Sequence, residues 1–313
     1  MNRLIGMGAA VIVVCTTGPV LAAQPSWIAD SSSGCKVWSP SNSSNQSIRW
    51  NGPCKTGLAQ GNGVLKWFVN GKLATLYKGD IRDGKLNGHG VKTYADGSRY
   101  NGEFRDNKLN GHGAKVFADG TRYEGEFRDN KFNGRGIKAF ADGERYEGGF
   151  RDNAYDGHGV YTWGDGSHYE GEFRDDDISG HGSKTYANGD RYSGDFLEGA
   201  PNGHGIETFA NGNRYAGDFS FGLFKGHGVE TFVNGNRFEG DFRRGQRDGD
   251  GVMTYSGGSF YRGEWFHDLP NGYGIYLREP LGETFSGDWK NGCFEHAGRR
   301  AWVEVTKEQC GFR

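Results

Sequence analysis

The stretch NGHGVKTYADGSRYNGEF, residues 87–104, returns 23 residues later as NGHGAKVFADGTRYEGEF, residues 110–127. An active site needs each special residue once, whereas a residue set reissued on a fixed period builds structure. The aromatic-x-Gly element falls at Tyr77, Tyr100, Tyr123, Tyr146, Tyr169, Tyr192, Tyr215, Phe238, Tyr261 and Phe285. Every gap is 23 residues except the last, which is 24. An earlier copy is IRWNG at 48–52, where Trp50 lies 27 residues before Tyr77 and the four-residue insertion LATL at 73–76 accounts for the excess.

Each unit predicts one hairpin. VKTY and SRYNGEF flank Ala95-Asp96-Gly97, and Asp-Gly favours a two-residue type I′ turn with positive φ at both central residues. That pairing sets Thr93 against Tyr100 and Val91 against Gly102. Since side chains alternate along a strand, Val91, Thr93, Tyr100 and Phe104 then share one face. Lys92, Tyr94, Arg99, Asn101 and Glu103 share the other, with Arg99 placed to stack on Tyr94. The segment between hairpins, such as RDNKLNGHG, reads as a linker. Its apolar members (Leu86, Leu109, Phe132, Tyr155, Ile178, Pro201, Phe224) are expected to pack loop on loop along one edge.

The bulk numbers narrow the function classes. The chain has 313 residues with 56 Gly and 35% hydrophobic residues, a balance that on its own suggests disorder. Aromatics at 14%, placed periodically, argue against it. A net charge of −2 provides no electrostatic footprint for nucleic acid. The N-terminus, MNRLIGMGAAVIVVCTTGPVLAAQ, has a positive Arg3, an apolar run and a small-residue cleavage site. It reads as a removed signal peptide over 1–22, the alternative being a retained membrane anchor. The chain is therefore expected to be exported, periplasmic or secreted and in one form associated with the envelope. Beyond Cys15, four cysteines allow three pairings. The expected bridges are Cys35–Cys54 and Cys293–Cys310, each closing a short terminal loop. The domain order is then an N-terminal cap over 23–60, the array over 61–292 and a C-terminal cap over 293–313.

The series Y-x-G-E/D-F/W, then G-x-G, then DG on a 23-residue period resembles the membrane occupation and recognition nexus, or MORN, repeat. About ten copies cover roughly four-fifths of the chain. The resemblance implies an all-β fold: an elongated, twisted, single-layer antiparallel sheet of about ten β-hairpin repeats. It also implies protein–protein contact and phospholipid contact; taken with the signal peptide, the chain is expected to be an exported, bacterial protein of this kind. Phe replaces the commoner Trp in most copies, and Gly149 once replaces the acidic residue.

Three rows of side chains are candidates for chemistry. His89, His112, His158, His181, His204 and His227 share the G-H-G position. Equivalent positions in neighbouring hairpins stand two strands, about 9.5 Å, apart. Parallel-stacked imidazoles at that spacing cannot share an ion that holds its nitrogens at about 2 Å, so no metal is expected. Acid titration of this row is the alternative to a plain loop role. The acidic row running from Asp80 through Glu103 and Glu126 to Asp288 gives every carboxylate the same setting. A glycosidase needs two carboxylates in different settings, so cross-strand pairing with Arg99, Arg122 and Arg145 is expected instead. No enzyme and no cofactor is expected.

The third row is aromatic. A single-layer sheet cannot bury both faces, so Tyr77, Tyr100, Tyr123, Tyr146, Tyr169, Tyr192, Tyr215, Phe238 and Tyr261 are expected to line a ligand groove. The function read from the sequence is a non-enzymatic binding or scaffold protein. Its partner is another protein or a second copy of itself in a homodimer. The alternative is a glycan, cell-wall or phospholipid-binding module.

Overall fold

The computed structural model describes residues 26–40 and 44–312, and the expected signal peptide lies outside them. The described residues contain strands and no helix. They divide into two compact units that meet at Gly88 and His89 in the chain.

In the first unit, the short strands Ser26–Ala29, Lys36–Ser39, Cys54–Lys55 and Leu58–Ala59 form a small sheet, and a disulfide joins Cys35 to Cys54. The buried Asp30 carboxylate accepts hydrogen bonds from the Ser32 and Trp50 amides, each at 2.9 Å. Burial works to raise its pKa, but these bonds outweigh burial and hold it at about 2. The strands Gln46–Trp50, Gly61–Val69 and Lys72–Arg82 pair in antiparallel order. The Trp50 ring covers Gly63, where an added Cβ would meet it at 2.4 Å. The aromatic rings from Tyr100 to Tyr261 lie over glycine in the same way.

In the second unit, consecutive strands from Arg99–Arg105 to Glu283–Trp289 each pair antiparallel with the next. They form one meander, and the sheet is not closed. The hairpin turn differs from expectation. The Tyr94 amide donates to the Ser98 carbonyl at 2.9 Å and the Gly97 amide to the Tyr94 carbonyl at 3.1 Å. Gly97 has φ +88° while Asp96 keeps negative φ. This is a three-residue loop, a type I turn closed by a left-handed glycine, and Asp96 fixes it by accepting from the Ser98 amide at 2.9 Å. The type I′ turns sit between hairpins instead, as at Asp106 (φ +48°) and Asn107 (φ +70°).

One extra loop residue moves the register by one and turns the preceding strand over. Lys115, not its neighbour, faces both Tyr123 and Tyr100. Lysines therefore join the tyrosine face, while Val91 and its equivalents point the other way. The cation over the Tyr94 ring is Lys92, at 4.9 Å, rather than Arg99.

The expected linkers are strands. Leu109 sits opposite Phe104 in the ladder, and the register then shifts before Gly113. At that irregularity Gly111 adopts φ +66°, a conformation with little cost for glycine alone. The row of Leu109, Phe132 and Tyr155 is consequently core: Tyr123 stacks on Phe132 and Tyr146 on Tyr155, each pair at 3.8 Å. Tyr100 is also held edge-on by Phe104 at 5.1 Å and by Phe127 of the next repeat at 5.0 Å. Its hydroxyl donates to the Glu103 carbonyl at 3.0 Å. The sheet buries these rings within its own layer because each one lies flat over glycine.

At the C-terminal end a second disulfide joins Cys293 to Cys310, as the sequence predicts. Phe294 packs on Trp289 at 5.3 Å, and Glu304 accepts from the Tyr255 hydroxyl at 2.7 Å while pairing with Arg247 at 3.4 Å. Two disulfides point to an oxidising, exported environment.

Candidate functional site

The aromatic row does not line an open groove in this structure. Tyr77, Tyr100, Tyr123, Tyr146, Tyr169, Tyr192, Tyr215, Phe238 and Tyr261 are each 0 or 1% exposed. The row of Leu109 and its equivalents, a strand rather than a loop, closes over them from one side. Burial, reinforced by the Glu103 charge, raises the Tyr100 phenol pKa and keeps it a hydrogen-bond donor.

The open surface is the other face. Glycines pair with glycines across every strand there: Gly102 with Gly113, Gly113 with Gly125, Gly125 with Gly136, Gly136 with Gly148 and Gly148 with Gly159. The resulting ribbon of bare backbone crosses the strands and floors a groove of about 820 Å³. His89, His112, Arg135 and His158 stand along it, with Ala114, Ile137 and Val160 and then Glu124, Glu147 and Glu170. Glu124 and Glu147 have aliphatic neighbours on both flanking strands, Glu147 sitting between Ile137 and Val160, whereas Glu170 lies between Val160 and Ser183. The groove thus combines an apolar track, a cationic or titratable edge and an anionic edge, all on the repeat spacing.

The acidic row has a structural task, and Arg99, Arg122 and Arg145 do not supply it. Glu103 accepts from the His112 amide at 3.2 Å, Glu126 from the Arg135 amide at 3.1 Å and Glu264 from the Tyr273 amide at 3.1 Å. These carboxylates hold the backbone where each strand departs from regular pairing. Arg145 instead bonds Glu147 on its own strand.

Three members of the histidine row face carboxylates. His181 Nδ1 lies 3.3 Å from Asp195, His204 Nδ1 3.1 Å from Asp218 and His227 Nδ1 3.5 Å from Asp241. Such exposed pairs contribute little to stability. Among the described residues no three His, Cys, Asp or Glu side chains converge as a metal set. The groove joins His89, His112 and His158 to Glu124, Glu147, Glu170, Ile137 and Val160, which the sequence reading did not single out. Their common signal was period-two alternation, legible only once the register is right.

Nine consecutive segments tiling residues 77–279 match the MORN repeat. No curated protein matches the chain by sequence. Among solved structures, the TCP domain of SAS-4 (dCPAP) of Drosophila melanogaster, in complex with a proline-rich motif of dSTIL, is 16% identical. That match covers 50% of this chain and 85% of that one, with a TM-score of 0.32. A mutant TCP10 domain of Danio rerio CPAP is 13% identical over 63% of this chain and 98% of that one, with a TM-score of 0.34. Neither likeness is close enough to bear on function.

Proposed function

Because the chain belongs to the MORN-repeat family, we propose that it is a non-enzymatic, exported scaffold that holds a partner protein in the groove over its glycine ribbon. The observation that carries this reading is the groove itself, lined by Ile137 and Val160 between His/Arg and Glu rows. An extended segment with apolar and charged side chains fits such a lining, since backbone can approach bare backbone closely while the rows read side chains. The carboxylates that would serve a hydrolase are occupied by amide hydrogen bonds. Burial of the tyrosines withdraws the aromatic platform that a sugar ring would need. The compartment is the periplasm or the cell exterior, at the envelope in one form.

Parallel binding screens on peptide arrays, insoluble glycan and liposomes test this reading. The expected result is peptide binding that the Ile137→Asp/Val160→Asp variant loses while keeping its near-ultraviolet circular dichroism. Binding to glycan or liposomes with no peptide binding would replace it with the module reading.

A further inference from the structure

On the tyrosine face, one position per repeat lies directly opposite the buried ring. In chain order the occupants are Lys115, Lys138, Tyr161, Lys184, Glu207 and Glu230, facing Tyr123, Tyr146, Tyr169, Tyr192, Tyr215 and Phe238. The backbone job is the same at all six, yet the charge reverses between Lys184 and Glu207. Packing does not require this reversal. Lys115 and Lys138 rest over the half-buried rings of Phe117 and Phe140 at 4.3 and 4.4 Å. The site of Glu207 is less favourable. It makes no ion pair among the described residues, and burial, then the nearby Asp190 charge, pushes its pKa to about 7. Burial likewise lowers the pKa of Lys115 and Lys138. Half-buried charges of both signs thus lie on one line along the array.

We propose that this face is covered by a second copy of the chain, running antiparallel, so that Lys138 meets the partner's Glu207 and Lys115 meets the partner's Glu230. The arrangement follows from the common pitch. A two-fold axis parallel to the strands, between the Tyr161 and Lys184 repeats, turns the row onto itself in reverse order. Lys138 and Glu207 are then equally far from the axis, as are Lys115 and Glu230, so one placement satisfies both pairs twice. Moving the axis one repeat later leaves Lys138 facing Met253 and Tyr161 facing Glu230, which keeps only Lys184 with Glu207. The contact is isologous, as closed dimers require. The half-buried loop aromatics beside the charges supply its apolar part. Pairing opposite charges across the contact offsets part of the desolvation each meets alone and fixes the register of the two copies. The surface lies on the opposite side of the sheet from the groove, so its failure would leave the groove reading standing.

Analytical ultracentrifugation of the mature, oxidised chain is the test, run across a concentration series at pH 7.5. The wild type is expected at twice the chain mass. Lys115→Glu/Lys138→Glu and Glu207→Lys/Glu230→Lys should each weaken the dimer by about 100-fold or more. Combining all four substitutions should restore it. A Lys138→Cys/Glu207→Cys variant should form a covalent dimer under mild oxidation. A wild type that stays monomeric at about 100 µM overturns the proposal; so does a dimer that survives either double reversal, or a folded four-fold variant that remains monomeric. Should a reversal unfold the chain, the cysteine variant decides alone: without a covalent dimer the proposal falls.

Discussion

Tyr146 and Glu147 are adjacent in sequence and belong to opposite worlds. On the face of Tyr146, the ring lies on Gly159 of the neighbouring strand and is locked by Phe150 of its own repeat and Phe173 of the next. On the face of Glu147, the same strands leave backbone bare between rows of exposed side chains. The glycines leave room for the ring on the first side, where a Cβ would point, and their backbone floors the groove on the second. Ring packing is therefore concentrated on the first face, while on the second the Glu147 position and its equivalents can vary in chemistry beside the carboxylates, such as Glu103 and Glu126, that hold the backbone.

The largest way to break that comparison is Tyr146→Ala. It should cost about 3–5 kcal/mol in urea unfolding, and a small loss would show that the rings are not the core. Gly136→Ala comes next: its Cβ would meet the Tyr123 hydroxyl at 2.6 Å and ring carbon at 2.7 Å. Overpacking of that kind should cost about 2 kcal/mol, measured by the same unfolding midpoint.

Glu207 sharpens the comparison through pH. Its pKa of about 7 in the fold lies above the ordinary glutamate value of 4.5, so the folded chain binds the proton more tightly. Unfolding free energy should then fall as pH rises from 4.5 to 7 and level off above. In the Lys115→Glu/Lys138→Glu background, Glu207→Gln should flatten this slope and stabilise the chain at pH 8 by about 1–2 kcal/mol, after allowance for partial solvent screening. Thermal melts at several pH values would read it.

Removing only a hydroxyl is a finer cut. Tyr146 donates to the Gly149 carbonyl at 2.9 Å, so Tyr146→Phe should cost about 1 kcal/mol. The smallest stability effect is expected from Glu147→Gln, within about 0.5 kcal/mol, although it should weaken peptide binding in the groove. A large destabilisation there would mean that the outer face also carries the fold.

The period, the meander, the all-β class and both disulfides were legible in the sequence because each is a local pattern or a count. The register was not. Asp-Gly reads equally well as a two-residue type I′ turn or as the end of a three-residue loop, and the choice reverses one strand of every hairpin. A clue was present in Asp106-Asn107 and Asp129-Asn130, adjacent pairs that both tolerate positive φ. They mark where the type I′ turns actually fall. The misplaced groove followed from treating Leu109 and Phe132 as loop residues, which left the tyrosines uncovered. Burial within a single layer depends on a ring crossing onto the next strand, a relation between residues that no single repeat displays.

The glycine ribbon carries one further consequence. A surface that repeats every 23 residues offers a partner several equivalent berths, so a segment seated on one repeat could as well sit one repeat along. Translation along the array would then cost almost nothing, favouring fast sliding and multiple occupancy over a single address. Irregular residues break this symmetry, among them Arg135 and Asp250 within the histidine row, Ser183 within the aliphatic row and Ser193, Ala216 and Arg262 within the acidic edge. They act as graduation marks on an otherwise uniform rule and give the partner a zero from which to count.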